Sequence, residues 1–433
     1  MNLLELTLKL KGYPILDAKR ELEGIYYLDK VALEAWQLSK RNEIFKHHFI
    51  HNPWYNKFVG ADVPTWENIP ILQKKNLQQP INQLLSKPYR ESEVYISNTS
   101  GSSGHPFYFA KDKRCHALTW ANIMLQYQEF GIDAGQHQAR FYGIPINGFS
   151  YWKERLKDFI GNRTRFPVFD LSDKTLDQWL KRFKVTRFDY VYGYTSAVVY
   201  FARHCLSRGV QLKAICPTLK ACVVTSETCL IEDRNILAEA FGVPVINEYG
   251  ASEIDVIAFQ RDTNDWKICS SNVFLEIVDD AGRKVPDGVE GRILVTSLHN
   301  RAMPFIRYEI GDLGIMDHDS NGQTVLKKLS GRMNDNVCLP SGRSAAGLTF
   351  YYISRTLLEG GGILREFIIR QIALDTFVFE IVADRDLLLT EVAAIQRQMD
   401  TYLEPGLKLV IKRVPEIKRS GSGKIKHFFS EIQ

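Results

Sequence analysis

Residues 98–112 read NTSGSSGHPFYFAKD, and the seven positions from Asn98 to Gly104 are crowded with glycines and hydroxyls. Glycines let backbone N–H groups approach an anion closely. Thr99, Ser100, Ser102 and Ser103 add short donors around Gly101 and Gly104, so phosphate is the first ligand this loop suggests. The β-like runs at 93–96 and 107–110 would pin both of its ends. It is not a Walker loop: Gly104 is followed by His105, Pro106 and a strand pattern, where that motif needs a lysine and a helix. On these residues alone, phosphate binding and a structural hairpin both stay open.

Four later stretches carry chemistry-bearing side chains. NEYGASE sets Glu248 and Glu253 on either side of a glycine turn, and MPFIRYEIGDLG carries Arg307 and Asp312. LSGRMNDN carries Arg332 and Asp335, and RSGSGKIKHF carries Lys424 close to the last residue. Singly, each has an ordinary reading: Asp312 as a turn residue, Arg332 as a surface ion pair, Glu253 as a solvated carboxylate. GSGK near the end leaves too little chain for the helix and sheet of a Walker fold.

The elements that must hold these residues follow from periodicity. From about 113 to 250, helical and strand patterns alternate as in parallel βαβ units. Helices are expected from Arg114 to Phe130, from Ser172 or Asp173 with Leu176, Trp179, Leu180 and Phe183 on one face, and from Thr195 or Ser196 to Arg208. LKACVVTSE reads as a buried strand, CLIEDRNILAEAFG as a helix closed by Gly242, and VPVINEYG as the next strand. Functional loops should then follow strand ends, at TSE and EYGASE, where open α/β sheets place ligands. Past 255 the pattern turns to β. The last hundred residues read as strands at 366–371, 376–382 and 408–414 with a helix from Leu387 to about Tyr402. The expected fold class is α/β: a large N-terminal α/β domain with a β-rich part, residues 1–333, plus a small α+β C-terminal domain, 334–433, with the boundary near GRMNDNV.

Composition excludes several classes. The 433 residues are 45% hydrophobic and 24% charged, which is globular rather than disordered or fibrous. A net charge of +5, from 55 basic and 50 acidic residues without a like-charge block, gives no nucleic-acid arm. Seven cysteines, an odd number with no C-x-x-C pair, argue for buried free thiols in a reducing cytoplasm rather than a disulfide framework. Glu5, Lys9 and Lys11 interrupt the N-terminal apolar run, and no later run approaches a membrane span, so no membrane insertion is expected.

Taken together and in this order, the five stretches resemble the adenylate-forming superfamily of acyl-CoA synthetases and adenylation domains, over residues 97–424. IPILQKKNL, TSGSSGHP, YGASE, TSLHNRAMPFIRYEIGDLG and GRMNDN are most similar to its phenylacetate-CoA ligase-like branch, including the capsule-synthesis relatives. The resemblance implies ATP-dependent activation of a small carboxylic acid as acyl-AMP with pyrophosphate release, then transfer to an acceptor. It implies ATP and Mg²⁺ and leaves CoA open. Thr99 to Gly104 would grip the ATP phosphates, Glu253 would hold Mg²⁺, and Ser252, with Tyr249, Gly250 and Ala251 before it, would lie near the α-phosphate. Asp312 and Arg332 would meet the ribose hydroxyls. Thr225–Cys229 would be the adenine loop, with Ser226 and Glu227 at its centre, although Ser226 and Thr228 depart from the family pattern. Asp335 would be the hinge of a mobile C-terminal domain, and Lys424 its catalytic lysine. Phe141, Tyr142, Tyr192 and Gly193 fall where the family lines its acyl pocket, and they read equally well as core packing.

A charged acid attacking polyanionic ATP needs positioning and charge neutralisation rather than a general base, so no Ser/His/Asp triad is expected. One departure bears on the acceptor: CoA-forming relatives have a glycine-containing loop after the hinge, whereas this chain runs from Asn336 through Val337, Cys338, Leu339 and Pro340 with no glycine until Gly342. That favours an acyl-AMP delivered elsewhere, to a sugar amine or hydroxyl or a carrier-protein thiol, in surface polysaccharide synthesis. An aryl- or acyl-CoA ligase, an AMP-transferring nucleotidyltransferase and a catalytically silent binding protein are the alternatives. A homodimer stays open.

Overall fold

The computed structural model describes residues 3–60, 65–98, 107–133, 135–142, 149–168, 171–261, 264–332, 336–342, 344–346, 353, 364–417 and 428–432. It separates into two compact units. One is built from the described residues up to Ile310 with Ile315–Lys328; the other from Gly311–Gly314 and the described residues from Leu329 onward.

Five parallel strands form the centre of the first unit, in the spatial order Arg163–Phe166, Gln138–Phe141, Tyr190–Tyr194, Ala221–Thr225 and Val245–Ala251. The strand Asp255–Gln260 turns back antiparallel beside the last of these, and Trp266–Ile268, Thr324–Arg332, Tyr308–His318, Glu290–Ser297 and Val273–Val278 extend the sheet. The crossover helices form where their apolar spacing predicts. Asp173–Val185 buries Leu176, Trp179, Leu180 and Phe183, four positions that share one helical face. Ile231–Phe241 stops at Gly242, whose φ of +67° is the left-handed cap that favours glycine. Thr195–Ser207 begins one residue earlier than a Thr195 or Ser196 cap would put it, with Tyr194 at the cap.

Alternation makes the two faces of the parallel strands different. Ala139, Phe141, Val191, Cys222 and Val224 point into an apolar core shared with those helices. Gln138, Arg140, Tyr190, Tyr192 and Glu248 point to the opposite face, where Tyr127 of the helix Lys113–Gln128 packs edge-on against Tyr190 at 6.0 Å. That helix in turn carries Ala117, Leu118, Ala121 and Met124 into a cluster with Ile15, Ala18 and Leu22 of the helix Ile15–Tyr26.

In the second unit, Leu364–Ala373 and Thr376–Ala383 pair antiparallel, Lys408–Arg413 lies parallel beside the latter, and Phe428–Ser430 parallel beside the former. The helix Leu389–Tyr402 closes this sheet through Ile395 and Met399 over Phe367, Ile369, Phe377, Phe379 and Ile381. The strand Phe428–Ser430 was not expected from sequence; at three residues it is too short to show a period.

Candidate active site

The strands on either side of the hydroxyl-rich loop pair with each other. Tyr95–Asn98 pairs antiparallel with Tyr108–Lys111, and Asn98 opposite Tyr108 is the last pair before the loop. Thr99, Ser100, Gly101, Ser102, Ser103 and Gly104 themselves lie outside the described residues. The returning strand ends in Lys111, a buried lysine that ties the hairpin to NEYGASE: its Nζ donates to the carbonyl of Ser252 at 3.1 Å and forms an ion pair with Asp255. Thr119 of the following helix donates to the other oxygen of Asp255. Burial pushes the Asp255 carboxyl up and Lys111 pulls it down.

The turn held in this way is tight. Asp255 has φ of +106°, a strained value for a residue with a side chain. A Cβ on Gly250 would stand 2.3 Å from the Asp255 carbonyl oxygen, so only glycine lets the two backbone segments pass. Tyr249 is buried, Ala251 half-buried and Ser252 exposed at the turn. Glu253 is buried to 8% exposure and accepts a hydrogen bond at 3.0 Å from the hydroxyl of Tyr308, itself fully buried. Tyr308 is fixed by its neighbour: Arg307 adopts φ of +45° and spreads its guanidinium over the carbonyls of Glu67, Ile69 and Gly282 at 2.6 to 2.9 Å. Arg307 is thus a buried backbone clamp.

Among the described residues only one oxygen of Glu253 is engaged, and no group of three metal-ligating side chains occurs. A single carboxylate with a free oxygen fits a hard divalent ion whose other ligands are phosphate and water. Asp312 is buried on Tyr308–His318. Arg332 ends the strand Thr324–Arg332, its side chain outside the description, and Asp335 and Lys424 lie outside the described residues.

Beyond the strand Ala221–Thr225, Ser226 adopts φ of +70° and Glu227 turns back onto the helix at Thr195. Its carboxylate accepts from the Ser196 backbone amide at 2.7 Å and its carbonyl from the Thr195 hydroxyl at 3.2 Å. The Glu227 side chain therefore caps a helix N-terminus.

The four expected pocket residues are split between the two faces. Tyr142 and Tyr192 stack at 5.6 Å, with Tyr194 4.0 Å from Tyr142. Phe141 is buried among Phe166, Trp179 and Phe201, and Gly193 lies opposite it because a Cβ there would stand 2.5 Å from the Phe141 Cβ. Those two pack the core. Tyr192 and Tyr127 donate to the two oxygens of Glu248 at 3.1 and 3.0 Å, and Thr225 donates to one of them at 3.1 Å. Burial pushes the Glu248 carboxyl up. Lys111, Asp255, Tyr308 and Arg140 were not singled out from sequence. Lys111 and Tyr308 lie inside stretches with a visible motif, but nothing in the spacing says what their side chains touch.

No family model matches the chain. It is 29% identical over 312 residues to a phenylacetate-coenzyme A ligase of Thermus thermophilus, covering 68% of each protein. It is 24% identical over 342 residues to the one from Aromatoleum evansii, covering 74% of each. Its fold matches a 2-hydroxyisobutyryl-CoA ligase solved with an acyl-AMP, with TM-score 0.70 at 17% identity over 92% of this chain and 89% of the other. These likenesses support the adenylate-forming superfamily, in its phenylacetate-CoA ligase-like branch. They support an AMP-forming ligase. The strand-end loops expected to carry ligands, TSE and EYGASE, sit side by side: Thr225 lies opposite Glu248 in register.

Proposed function

We propose that the protein activates a small carboxylic acid with ATP and Mg²⁺, forming acyl-AMP and releasing pyrophosphate, and then passes the acyl group to an acceptor. The observation that carries this reading is the Lys111 tie, which binds the glycine- and hydroxyl-rich hairpin to the turn bearing Ser252 and Glu253. A phosphate-gripping loop and a metal-holding carboxylate must share one site if the α-phosphate is to be attacked.

In the first step a carboxylate oxygen bonds to the α-phosphorus while the bond to pyrophosphate breaks. In the second, the acceptor attacks the acyl carbon and AMP leaves. Backbone amides of the 99–104 loop would hold the phosphates, and Glu253, steadied by Tyr308, would hold Mg²⁺, which when bound would supply positive charge against the phosphates. Asp312 and Arg332 bind the ribose, and Ser226 with its neighbours meets the base through the backbone, since the Glu227 carboxylate is committed to Ser196. Lys424 bridges the acid and the phosphates, and Asp335 is the pivot between the 1–333 and 334–433 domains.

For the acceptor, we favour CoA. Against CoA stands the glycine-free run from Asn336 to Pro340, whose branched side chains would narrow a passage for pantetheine if they faced it. Val337 and Leu339 are buried in the core of the C-terminal unit instead, and Gly342 supplies a left-handed turn, which supports the reading carried by the names of the relatives. Delivery to a sugar amine, a hydroxyl or a carrier thiol is the second reading, kept by the missing glycine. The cytoplasm is the proposed location, supported by six buried free thiols. A part in surface polysaccharide synthesis rests on the resemblance alone.

The test is pyrophosphate release across a library of carboxylic acids with Mg²⁺ and ATP, with and without CoA, read by mass. AMP with acyl-CoA supports the proposal in full, and accumulating acyl-AMP moves the acceptor to the second reading. ADP and orthophosphate as products would sink adenylation.

A further inference from the structure

The face that carries the tyrosines also carries a cation that the two half-reactions do not use. Arg140 lies in the strand Gln138–Phe141, in register with Tyr192 on one side and Arg165 on the other. Its guanidinium carbon stands 4.1 Å from the ring centre of Tyr142 and 4.9 Å from that of Tyr192. Its hydrogen bond among the described residues runs from Nη1 to Gln138 Oε1 at 3.1 Å, and its Nε is buried with no partner.

The nearby acids are already committed. Arg165 takes Asp158 in a two-pronged pair at 2.8 and 2.9 Å and Glu154 at 3.0 Å. Glu248 lies beyond Tyr192, held by three hydroxyls. Among the described residues no ion pair reaches Arg140. The two rings return part of the cost of sequestering a guanidinium, but they leave its Nε without a partner, and an orphaned charged donor is expensive. Among the described residues nothing completes it, and a bound ligand would.

Its depth says which part of a ligand it meets. In the parallel strands, Tyr142, Tyr194, Thr225 and Glu248 occupy the level nearest the C-terminal ends, and Arg140 and Tyr192 lie one pleat deeper, about 6.6 Å along the strand. The carboxylate being activated has to meet the phosphates at the strand ends, beside Ser252 and Glu253. The other end of the acid then points toward Arg140. We propose that Arg140 binds a second carboxylate at the distal end of the substrate, so that the acid activated is a dicarboxylic acid. The planar guanidinium, lying against both rings, carries the fork that matches a carboxylate. This inference rests on the adenylation reading for the direction in which the acid lies.

The experiment is calorimetric titration of the purified protein with matched pairs: glutarate against butyrate, adipate against hexanoate, phthalate against benzoate. Wild type should bind the diacid of at least one pair ten-fold or more tighter than its monoacid. Arg140→Gln should erase that preference while monoacid and ATP binding stay within two-fold, and Arg140→Lys should restore part of it. Monoacids bound as well as diacids, a stronger response to neutral hydroxy- or oxo-acids of the same length, or a preference that survives in Arg140→Gln would each overturn the assignment. If Arg140→Gln fails to fold, the wild-type comparison decides alone. Pyrophosphate exchange with the tightest-binding diacid separates the two claims: binding without exchange would refute adenylation and leave the Arg140 contact standing.

Discussion

Glu253 owes its position to a hydroxyl 55 residues away in the chain, and that contact marks what the sequence could and could not say about single residues. A carboxylate after Tyr-Gly-Ala-Ser is legible as chemistry because its type and its turn are local. The Tyr308 hydroxyl that orients it, and the Lys111 ammonium that grips the Ser252 carbonyl from 141 residues away, are legible only once the chain is folded. Hydrogen bonds to charged groups contribute about 1.5 to 3 kcal/mol, so Tyr308→Phe should weaken the Mg²⁺ dependence of pyrophosphate release roughly 10- to 100-fold while the fold persists. An unchanged half-saturating Mg²⁺ concentration would detach Tyr308 from the metal. Lys424→Ala tests the opposite end of the reaction. It should lower adenylation about 10²- to 10³-fold with ATP binding kept, since its charge is needed mainly as the pyrophosphate leaves; a near-normal rate with the cognate acid would remove Lys424 from the mechanism.

Helices and strands of the parallel region were legible because each advertises itself locally. Leu176, Trp179, Leu180 and Phe183 repeat at helical spacing, and the strand Ala221–Thr225 is buried at every position, as its unbroken apolar run suggests. Which face a strand residue takes was not legible in the same way. Gln138–Phe141 and Tyr190–Tyr194 mix aromatic, charged and small residues in runs too short to fix a phase, so Phe141 and Tyr142 looked alike until the register put one in the core and the other beside Arg140. The two glycines now separate by role. Gly193→Ala would press a methyl against Phe141 at 2.5 Å and the Phe141 carbonyl at 2.8 Å, so it should destabilise the first unit by about 1 to 3 kcal/mol, seen as a lower urea midpoint. Gly250→Ala meets backbone instead, the Asp255 carbonyl, and should open the turn that presents Glu253. Its signature is lost pyrophosphate release at nearly unchanged circular dichroism; a fully active Gly250→Ala protein would show that the turn tolerates the shift.

At the scale of the whole molecule, stability should depend on pH through histidines that folding buries in the neutral form. Burial lowers His48 to about 3, and His116 and His299 to about 4. His48 sits fully buried between the Ser86 hydroxyl and the Asn300 carbonyl, and His116 stacks on Tyr95 at 4.1 Å while accepting from the Trp120 ring N–H. The unfolded chain takes up these protons near pH 6.5 and the folded chain does not, so each histidine's contribution is whole above 6.5 and is lost as pH falls toward its folded value. Glu248, Asp255 and Glu276 work the other way: burial raises them, so the folded chain holds their protons at a pH where the unfolded chain has released them. The overall slope mixes both signs, and a difference between two proteins isolates one group. His116→Phe keeps the ring stack and removes the titration. Relative to wild type its unfolding free energy should rise by about 1.4 kcal/mol per pH unit as pH drops from 6.5 to 4. Urea unfolding of the two proteins at pH 7, 6 and 5 measures this directly: curves that stay parallel across the series would mean that His116 takes up its proton in the folded state.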